Sequence, residues 1–505
     1  MVTQTRSLGL HGVEGYPVTV ECDIARGLPG FEIVGLPDAS VKEAKDRVRS
    51  AVKNCGFTFP VSRITVNLAP ADRKKGGTMY DLPILVGILS AMGALPPPKS
   101  DWAFLGELSL SGAVRTVPGT LPMALAAKAA GVTTLFVPAD SAPEATLARG
   151  LTVYPLSHVG ELCGHLTGER PLSPLPQWTP KPDSLPVPDF SQVKGQENVK
   201  RALEIAAAGG HNLLMIGPPG SGKSMLSQRL PGILPPLTWR EALDVTAIHS
   251  VLGLTNREHP LVTTRPFRSP HHTISTAGMA GGGALQIRPG EISLAHHGVL
   301  FLDELPEFRG DVLEVMRQPM EEGKVQITRA SGSEVFPARF MLICAMNPCK
   351  CGWYGYGNRC RCTPKDVERY QQRISGPLLD RIDLVVDVIP PDFNTLSEKP
   401  TGEPSSAIRE RVCQARKVQR DRFGKDGPPC NAQMGRGELE EFCVLDAPSQ
   451  AIMKGAFEKL GLTARGYDRI LRVARTIADL DESPQVLSQH LAEALQYRAT
   501  GWMAK

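Results

Sequence analysis

The segment Gly217-Pro-Pro-Gly-Ser-Gly-Lys-Ser224 constrains this 505-residue chain more than any other feature. It satisfies the pattern G-x-x-x-x-G-K-[ST], in which backbone N–H groups of a glycine-rich turn surround phosphates at the start of a helix. The apolar run Leu213–Ile216 precedes the segment, and a helical pattern begins at Lys223. Strand, loop and helix in this order predict a nucleotide-binding α/β domain.

The loop is predicted to bind the phosphates of ATP. Lys223 is expected to neutralise the β- and γ-phosphate oxygens, and Ser224 to offer its hydroxyl to Mg²⁺. An ordinary glycine–proline turn before a helix is disfavoured, because both the pattern and its context agree. The predicted cofactor-binding residues are Gly217, Pro218, Pro219, Gly220, Ser221, Gly222, Lys223 and Ser224.

Two further predicted strands end in polar side chains. Val299–Leu302 runs into Asp303 and Glu304, which suits a Mg²⁺ ligand followed by a general base for the attacking water. A buried strand entering an acidic helix start is the alternative. Phe340–Ala345 leads to Asn347, which is either placed to orient water and sense the γ-phosphate or is an ordinary turn residue.

Four of the 11 cysteines fall in one short segment: Cys349, Cys351, Cys360 and Cys362. Four thiols at this spacing can hold one tetrahedral Zn²⁺, although C-x-C is tighter than the usual C-x₂-C. Because the other cysteines are scattered, we predict a structural zinc site in a reducing compartment rather than a disulfide framework.

Aromatic and basic side chains interleave around these thiols, and the pattern is typical of surfaces that stack bases and follow phosphates. A solvated loop around a metal site is the alternative. The residues are Trp353, Tyr354, Tyr356, Arg359, Arg361, Lys365, Arg369, Tyr370 and Arg373.

Composition is typical of a folded chain with several domains. Hydrophobic residues make up 42% and charged residues 21%, which excludes a disordered chain, and the net charge of +4 is too small to indicate nucleic acid by itself. No apolar run is long enough to span a bilayer, and the first residues lack the order of a signal peptide. We therefore expect a cytoplasmic protein with no membrane partner.

Proline-rich stretches divide the sequence. Residues 171–188 predict an extended linker between an α/β domain at 1–170 and the P-loop domain at 189–390. A second stretch, rich in Pro, Ser, Thr and Gly, interrupts the apolar pattern at the start of the region 391–505, whose remaining pattern predicts helices. In the first domain, apolar periodicity predicts strands at Val18–Asp23, Phe31–Val34 and Ile64–Leu68, and a helix after Asp38.

Two other segments of the central domain are distinctive. His271 and His272 begin a glycine-rich insert; adjacent histidines point apart on a helix or strand, which argues against a shared metal. Lys324–Arg329 and Glu334–Phe340 are predicted to form a β-hairpin that carries Arg329 at its tip.

Together these motifs resemble an AAA+ ATPase of the magnesium-chelatase-like branch that includes the YifB/ComM proteins, over nearly the whole chain. The resemblance implies a Lon-protease-like N-terminal α/β domain, a central AAA+ P-loop α/β domain and a C-terminal helical lid. The cysteine spacing adds a zinc-knuckle-like Cys₄ loop at 349–362 to the central domain. ATP and Mg²⁺ are the implied cofactors. The most specific segments are Gly35–Asp38, Ile64–Asp72, Arg265–His272, Gly290–His296 and Ser375–Asp383.

The resemblance also implies roles for arginines and a partner. Arg381 takes the role of an arginine finger for a neighbouring subunit, although in isolation an intramolecular Arg–Asp pair is the favoured interpretation. Arg465 resembles the sensor-2 arginine of the lid, with Arg469 and Arg472 as competitors. The family implies homo-hexameric DNA helicases that drive branch migration during natural transformation, with single-stranded or branched DNA bound without sequence preference. A magnesium-chelatase-type chaperone that acts on a protein partner is the alternative.

The Lon-like resemblance raises proteolysis as a further possibility. Where the family would place the nucleophile, the chain has Lys75–Pro83 with Thr78, and where it would place the lysine, Val117–Met123 contains none. Because a threonine without an amine to deprotonate it is a poor nucleophile, we predict a non-proteolytic module for assembly or DNA contact.

Overall fold

The computed structural model describes residues 2–180, 188–283, 287–329, 332–390, 392, 397 and 402–498. The chain divides into two units, each with its own hydrophobic core. Unit 1 comprises Met1–Pro182 and Thr238–Thr263, and unit 2 comprises Asp183–Leu237 and Thr264–Lys505. Residues 238–263, which the sequence places inside the central domain, therefore group with the N-terminal one. Residues 181–187 of the predicted linker lie outside the described residues.

Unit 1 is built on a mixed β-sheet. Its strands in the described ranges are β1 (Val2–His11), β2 (Glu14–Ala25), β3 (Gly30–Val34), β4 (Arg63–Ala69), β5 (Trp102–Phe104), β6 (Glu107–Leu108), β7 (Val114–Arg115), β8 (Thr134–Pro138) and β9 (Thr152–Leu156). The sheet order is β3-β4-β2-β1-β5-β8-β9, with β2 antiparallel to both β1 and β4 and the remaining neighbours parallel. The three strands predicted from periodicity lie within β2, β3 and β4, which confirms them.

The helices of unit 1 cover this sheet. Asp81–Ala91 is buried around its whole circumference and packs on β1 and β2, because its sequence is apolar on every face. Trp239–Val251 begins with a capping box between Thr238 and Glu241 and packs against Thr120–Ala129. The described helices are Ala39–Lys42, Ala44–Asn54, Asp81–Ala91, Thr120–Ala129, Ala142–Ala145, Val159–Thr167 and Trp239–Val251.

Unit 2 contains a parallel five-stranded sheet. Its described strands are β10 (Leu213–Ile216), β11 (Phe267–Arg268), β12 (Gly281–Gly282), β13 (Arg288–Pro289), β14 (Val299–Leu302), β15 (Lys324–Arg329), β16 (Gly332–Pro337), β17 (Met341–Met346) and β18 (Leu384–Asp387). The sheet order is β11-β14-β17-β10-β18, and every neighbouring pair is parallel. Parallel strands end at the same edge, so the segments that follow β10, β14 and β17 meet there.

The predicted hairpin is formed by β15 and β16. Its second strand begins at Gly332 and ends at Pro337, earlier than predicted, because Pro337 cannot continue the ladder as a donor. Ala330 and Ser331, at the predicted tip beside Arg329, lie outside the described residues.

The helices of unit 2 flank the sheet and then form a C-terminal bundle. Ser405–Phe423 and Ala464–Leu480 pack on Glu197–Gly209, the helix that precedes β10. In the described ranges the helices are Glu197–Gly209, Lys223–Ser227, Leu230–Ile233, Thr276–Ala280, Glu291–Leu294, Gly310–Glu314, Arg317–Glu322, Pro364–Gln371, Gly376–Leu379, Ser405–Phe423, Arg436–Phe442, Ala447–Leu460, Ala464–Leu480 and Ser488–Gln496. The predicted fold class, two α/β regions followed by a helical region, is confirmed. No helix in the described part of either unit is both long enough and apolar enough to cross a bilayer.

Candidate nucleotide site and cysteine cluster

The P-loop connects the inner strand β10, which lies between β17 and β18, to helix Lys223–Ser227. Gly222 is the residue before this helix and has a φ of 93°, a backbone conformation that favours glycine. The first N–H groups of a helix have no partner within it, so they are available to an anion. Ser221 Oγ is buried and has no hydrogen-bond partner among the described residues. The loop therefore offers unpaired donors, as a phosphate site requires.

Lys223 lies at the centre of this site, with only 8% of its surface exposed. Its Nζ donates to the carbonyl oxygens of Gly217 and Pro218, at 2.8 and 3.0 Å, and to Asn347 Oδ1 at 3.2 Å. Burial lowers the pKa of Lys223, while the carboxylates of Asp303 and Glu304 oppose this shift. The ammonium group is therefore surrounded by acceptors that phosphate oxygens can replace.

Ser224 and Asp303 meet at the carboxyl end of β14. The Ser224 hydroxyl donates to Asp303 Oδ2 at 2.5 Å, although the two residues come from different segments. Hydroxyl and carboxylate oxygens are the ligands that Mg²⁺ prefers, and it usually takes few of them from the protein. The pair therefore fits the predicted Mg²⁺ site.

Glu304 lies beside this pair in the left-handed region, with a φ of 54°. Such backbone conformations are rare for residues other than glycine and cluster at functional sites. Its carboxylate is exposed, and Glu304 Oε2 lies 3.7 Å from Nδ1 of His272. The sequence disfavours His272 as a metal ligand and places it in a family-specific segment, but it does not predict this contact. The strand that precedes His272, β11, has only two residues, which is too few for a periodic pattern to predict it from the sequence.

Arg381 is held by its own chain. Its Nη1 donates to the Pro377 carbonyl at 2.6 Å, and Nη2 pairs with Glu321. The intramolecular partner is thus a glutamate rather than the aspartate that the sequence suggested. These contacts do not reach the P-loop of the same chain.

The three lid arginines have different surroundings. Arg465 is exposed near the start of helix Ala464–Leu480, and no hydrogen bond or ion pair joins it to the P-loop in the described part of the chain. Arg469 is buried 3.8 Å from Asp383, and burial, with the charge of Arg498, lowers its pKa to about 10. Arg472 Nε donates to the Met434 carbonyl at 3.0 Å. The sensor-2 assignment to Arg465 stays a prediction.

The four clustered cysteines converge on one point. The sulfur of Cys349 lies 3.4 Å from that of Cys351 and 3.9 Å from that of Cys360, and Cys351 and Cys360 are 3.7 Å apart. With Cys362, all four sulfurs lie within 4.8 Å of one another. Metal–sulfur bonds of about 2.3 Å in a tetrahedron give sulfur–sulfur edges of about 3.8 Å. Backbone N–H groups of Arg361 and Trp353 lower the pKa of Cys351 to about 6, which favours its thiolate, whereas the pKa of Cys360 and the pKa of Cys362 are raised. The donor set therefore fits one Zn²⁺.

Much of the basic and aromatic character of this loop is exposed. The Arg359 guanidinium stacks over the Trp353 ring at 4.8 Å, and Tyr354 is exposed. The prediction was wrong for Tyr370, which is buried and cannot stack on a base because it anchors helix Pro364–Gln371. The exposed basic residues of the segment are Lys350, Arg359, Arg361, Lys365, Arg369 and Arg373.

In unit 1, the segment predicted to replace the Lon nucleophile is tightly fixed. Lys75 is fully buried and its Nζ donates to the Arg73 carbonyl at 2.8 Å. Arg47 pairs with the buried carboxylate of Asp81 through two hydrogen bonds, at 2.6 and 3.0 Å. Among the described residues, no hydrogen bond joins the Thr78 hydroxyl to a lysine.

Family models match three parts of the chain. The model for magnesium chelatase, subunit ChlI, covers residues 189–396. The model for subunit ChlI of Mg-chelatase covers residues 20–141, and the model for the ChlI C-terminal region covers residues 402–498. Together with the sheet order and the P-loop, they define the class as a P-loop ATPase of the AAA+ type.

Full-length relatives define the family. YifB of Escherichia coli (strain K12) is 45% identical over 490 residues, which are 97% of this chain and 95% of YifB. Competence protein ComM of Haemophilus influenzae is 44% identical over 495 residues, 97% of this chain and 96% of ComM. The chain belongs to the YifB/ComM family of magnesium-chelatase-like AAA+ ATPases, for which ATP and Mg²⁺ are the cofactors. A 28% identity over 131 residues to the Lon protease of Buchnera aphidicola subsp. Baizongia pistaciae, 24% of this chain and 17% of that protein, confirms the Lon-like similarity.

Proposed function

We propose that this protein is an ATP-driven, ring-forming DNA motor, a helicase that promotes branch migration of recombination intermediates in natural transformation. The observation that carries the proposal is the exposed basic and aromatic Cys₄ loop, which begins two residues after Asn347 at the nucleotide site. DNA held by such a loop lies next to the groups that hydrolyse ATP. The relative ComM of Haemophilus influenzae is a competence protein, which supports the biological role.

The side chains of the nucleotide site suit hydrolysis of the γ-phosphate. Lys223 would hold β- and γ-phosphate oxygens, and Ser224 and Asp303 would hold Mg²⁺, which when bound neutralises charge on the phosphates. Glu304 would accept a proton from the water that attacks the γ-phosphorus, and Asn347 would orient that water. The bond from phosphorus to the bridging oxygen breaks, giving ADP and inorganic phosphate.

A homo-hexameric ring would complete each site with a residue from a neighbour. We infer that Arg381 exchanges its contact with Glu321 for the γ-phosphate bound by the adjacent subunit, where its charge stabilises the transition state. Arg465 is exposed and free to reach the phosphates when the lid closes.

Structural zinc would shape the DNA-binding loop. Zn²⁺ held by Cys349, Cys351, Cys360 and Cys362 would fix the stacked pair of Trp353 and Arg359 at the surface. Such a surface grips phosphates and stacks bases without reading sequence, so binding should weaken steeply as salt increases.

A magnesium-chelatase-type chaperone is the second candidate function, because three magnesium-chelatase family models cover both units. Such a ring would remodel a protein partner and would not need an exposed basic loop. The DNA motor therefore requires Trp353 and Arg359 for DNA binding, whereas the chaperone does not.

The deciding experiment measures branch migration of a four-way junction. The wild type should displace strands with ATP, and Trp353→Ala with Arg359→Ala should weaken junction binding about tenfold at low salt. Arg436→Ala is the matched control, since Arg436 is an exposed arginine of the lid. The motor would be overturned, and the chaperone favoured, if the wild type displaced no strand and bound the junction no more tightly than the Trp353/Arg359 and Arg436 variants.

A further inference from the structure

The Cys₄ loop lies directly against the P-loop. Gly352, the residue after Cys351, has a φ of 86°, and a methyl group added to its Cα would lie 2.5 Å from Pro219 Cδ and 2.6 Å from its Cγ. Real contacts between carbon atoms are about 3.5–4 Å, so Pro219 leaves no room for a side chain at residue 352. The P-loop and the cysteine loop are in van der Waals contact through this pair.

The start of the Cys₄ loop is attached to the strand that ends beside the P-loop lysine, β17. Cys349 is fully buried and follows Asn347, whose Oδ1 accepts from Lys223 Nζ at 3.2 Å. After helix Pro364–Gln371, which follows the last cysteine, Arg373 pairs with Glu307 at 3.1 Å, three residues after Glu304. The loop itself thus connects the ends of β10 and β17.

We propose that the Cys₄ loop is a positioning element of the nucleotide site. When its four thiols close around Zn²⁺, Gly352 is fixed against Pro219, and Asn347 is fixed beside Lys223. Opening of the cluster releases the P-loop and weakens nucleotide binding. The inference rests on the proposed function in two respects: the nucleotide is ATP and the metal is zinc.

A pair of glycine substitutions tests the contact without touching a thiol. Gly352→Ala places a methyl group against Pro219, whereas Gly355→Ala imposes a similar backbone cost, with a φ of 83°, and meets nothing within 4 Å. We expect Gly352→Ala to raise the Kd of a fluorescent ATP analogue about tenfold with zinc content unchanged, and Gly355→Ala to change it less than twofold.

A second pair of variants tests the metal. Cys351→Ser and Cys362→Ser should lower zinc content and raise the Kd for the same analogue, while Cys413→Ser, a cysteine of helix Ser405–Phe423, should change neither. Circular dichroism of all variants shows whether the fold is retained. The readouts are metal content and nucleotide affinity rather than turnover alone.

The outcomes separate the two proposals. Equal nucleotide affinity in Gly352→Ala and Gly355→Ala, or full affinity in folded protein lacking zinc, would overturn the positioning role. Failure of DNA to bind or stimulate the wild type, with the glycine pair behaving as expected, would overturn only the DNA motor. A wild type that binds no ATP analogue would overturn both.

Discussion

Two buried lysines, one in each unit, show what distinguishes a reactive site from a structural position. Lys75 in unit 1 is fully buried and Lys223 in unit 2 nearly so, and burial lowers the pKa of both. Lys223 is hydrogen-bonded to Asn347 and faces the carboxylates of Asp303 and Glu304. The Nζ of Lys75 instead donates to a backbone carbonyl two residues away.

The difference lies in what surrounds the amine. Around Lys223, polar groups from three strand ends converge, and some of them, such as Ser221 Oγ, lack a partner among the described residues. Around Lys75, the chain satisfies its own polar groups, with Leu36 and Asp38 pairing to its backbone at 3.0 and 2.9 Å. A lowered lysine pKa therefore shows only that the lysine is buried. The nucleotide site is instead recognised by several polar groups that converge and lack partners of their own.

Substitution of the two lysines should give the largest contrast. Lys223→Ala should lower the ATPase rate at least about 100-fold, because it removes the cation that faces the phosphates. Lys75→Met keeps an unbranched side chain only one atom shorter and should leave the rate within about twofold. Steady-state phosphate release measures both, and a large loss of ATPase in folded Lys75→Met would contradict the comparison.

Glu304→Gln should separate hydrolysis from binding within unit 2. The amide keeps the shape of the side chain but cannot accept the proton, so kcat should fall about 100-fold or more. Nucleotide affinity should stay within about threefold, as measured with a fluorescent ATP analogue. If affinity and kcat fell together, Glu304 would be a binding residue instead of a base.

Glu144 extends the comparison to the acids of unit 1. Its buried carboxylate accepts from Leu121 N and Thr255 Oγ1, both at 2.7 Å, and from Ser250 Oγ. Glu144→Gln turns an amide donor toward these donors and should lower the free energy of unfolding by about 1–3 kcal/mol. Chemical denaturation of the full chain measures the loss, and nucleotide affinity should not change.

The pH dependence of that stability has a defined sign. Burial raises the pKa of Glu144 above its ordinary value of 4.5, so the native state holds this proton at pH values where the unfolded state has released it. The contribution of Glu144 to stability should therefore fall as pH rises from about 4.5 through the raised pKa. The Glu144→Gln variant should lack this pH-dependent part of the free energy of unfolding. If its stability varied with pH as that of the wild type does, Glu144 would not be the group responsible.

His272→Ala should give the smallest effect, about a threefold change in kcat, because it alters only the orientation of Glu304. The KM for ATP should not change. His271→Ala is the matched control: the two rings lie 4.1 Å apart, but it is His272 that lies within ion-pair distance of Glu304. Equal effects of the two substitutions would remove the positioning role of His272.

Sequence reasoning found the parts of the site that local patterns encode. The P-loop, Asp303 and Asn347 each follow an apolar run, and the parallel sheet then brings the three strand ends together. The cysteine cluster was equally visible, because its four cysteines lie close together in the sequence.

The missed contacts depend on residues far apart in the sequence. The hydrogen bonds of Glu144 to Ser250 and Thr255 help to place residues 238–263 in unit 1, and no local pattern predicts them. The same holds for Gly352 against Pro219, since a glycine in a loop does not reveal which atom it approaches. Tyr370 resembled the exposed aromatic residues around it, and only the packing of its helix shows that it is buried.

The most direct test of the account is the ATPase rate of the wild type with and without a four-way DNA junction, at low and at high salt. The account predicts stimulation by the junction that is lost at high salt and absent in Lys223→Ala. A rate that is the same with and without DNA at both salt concentrations would contradict it.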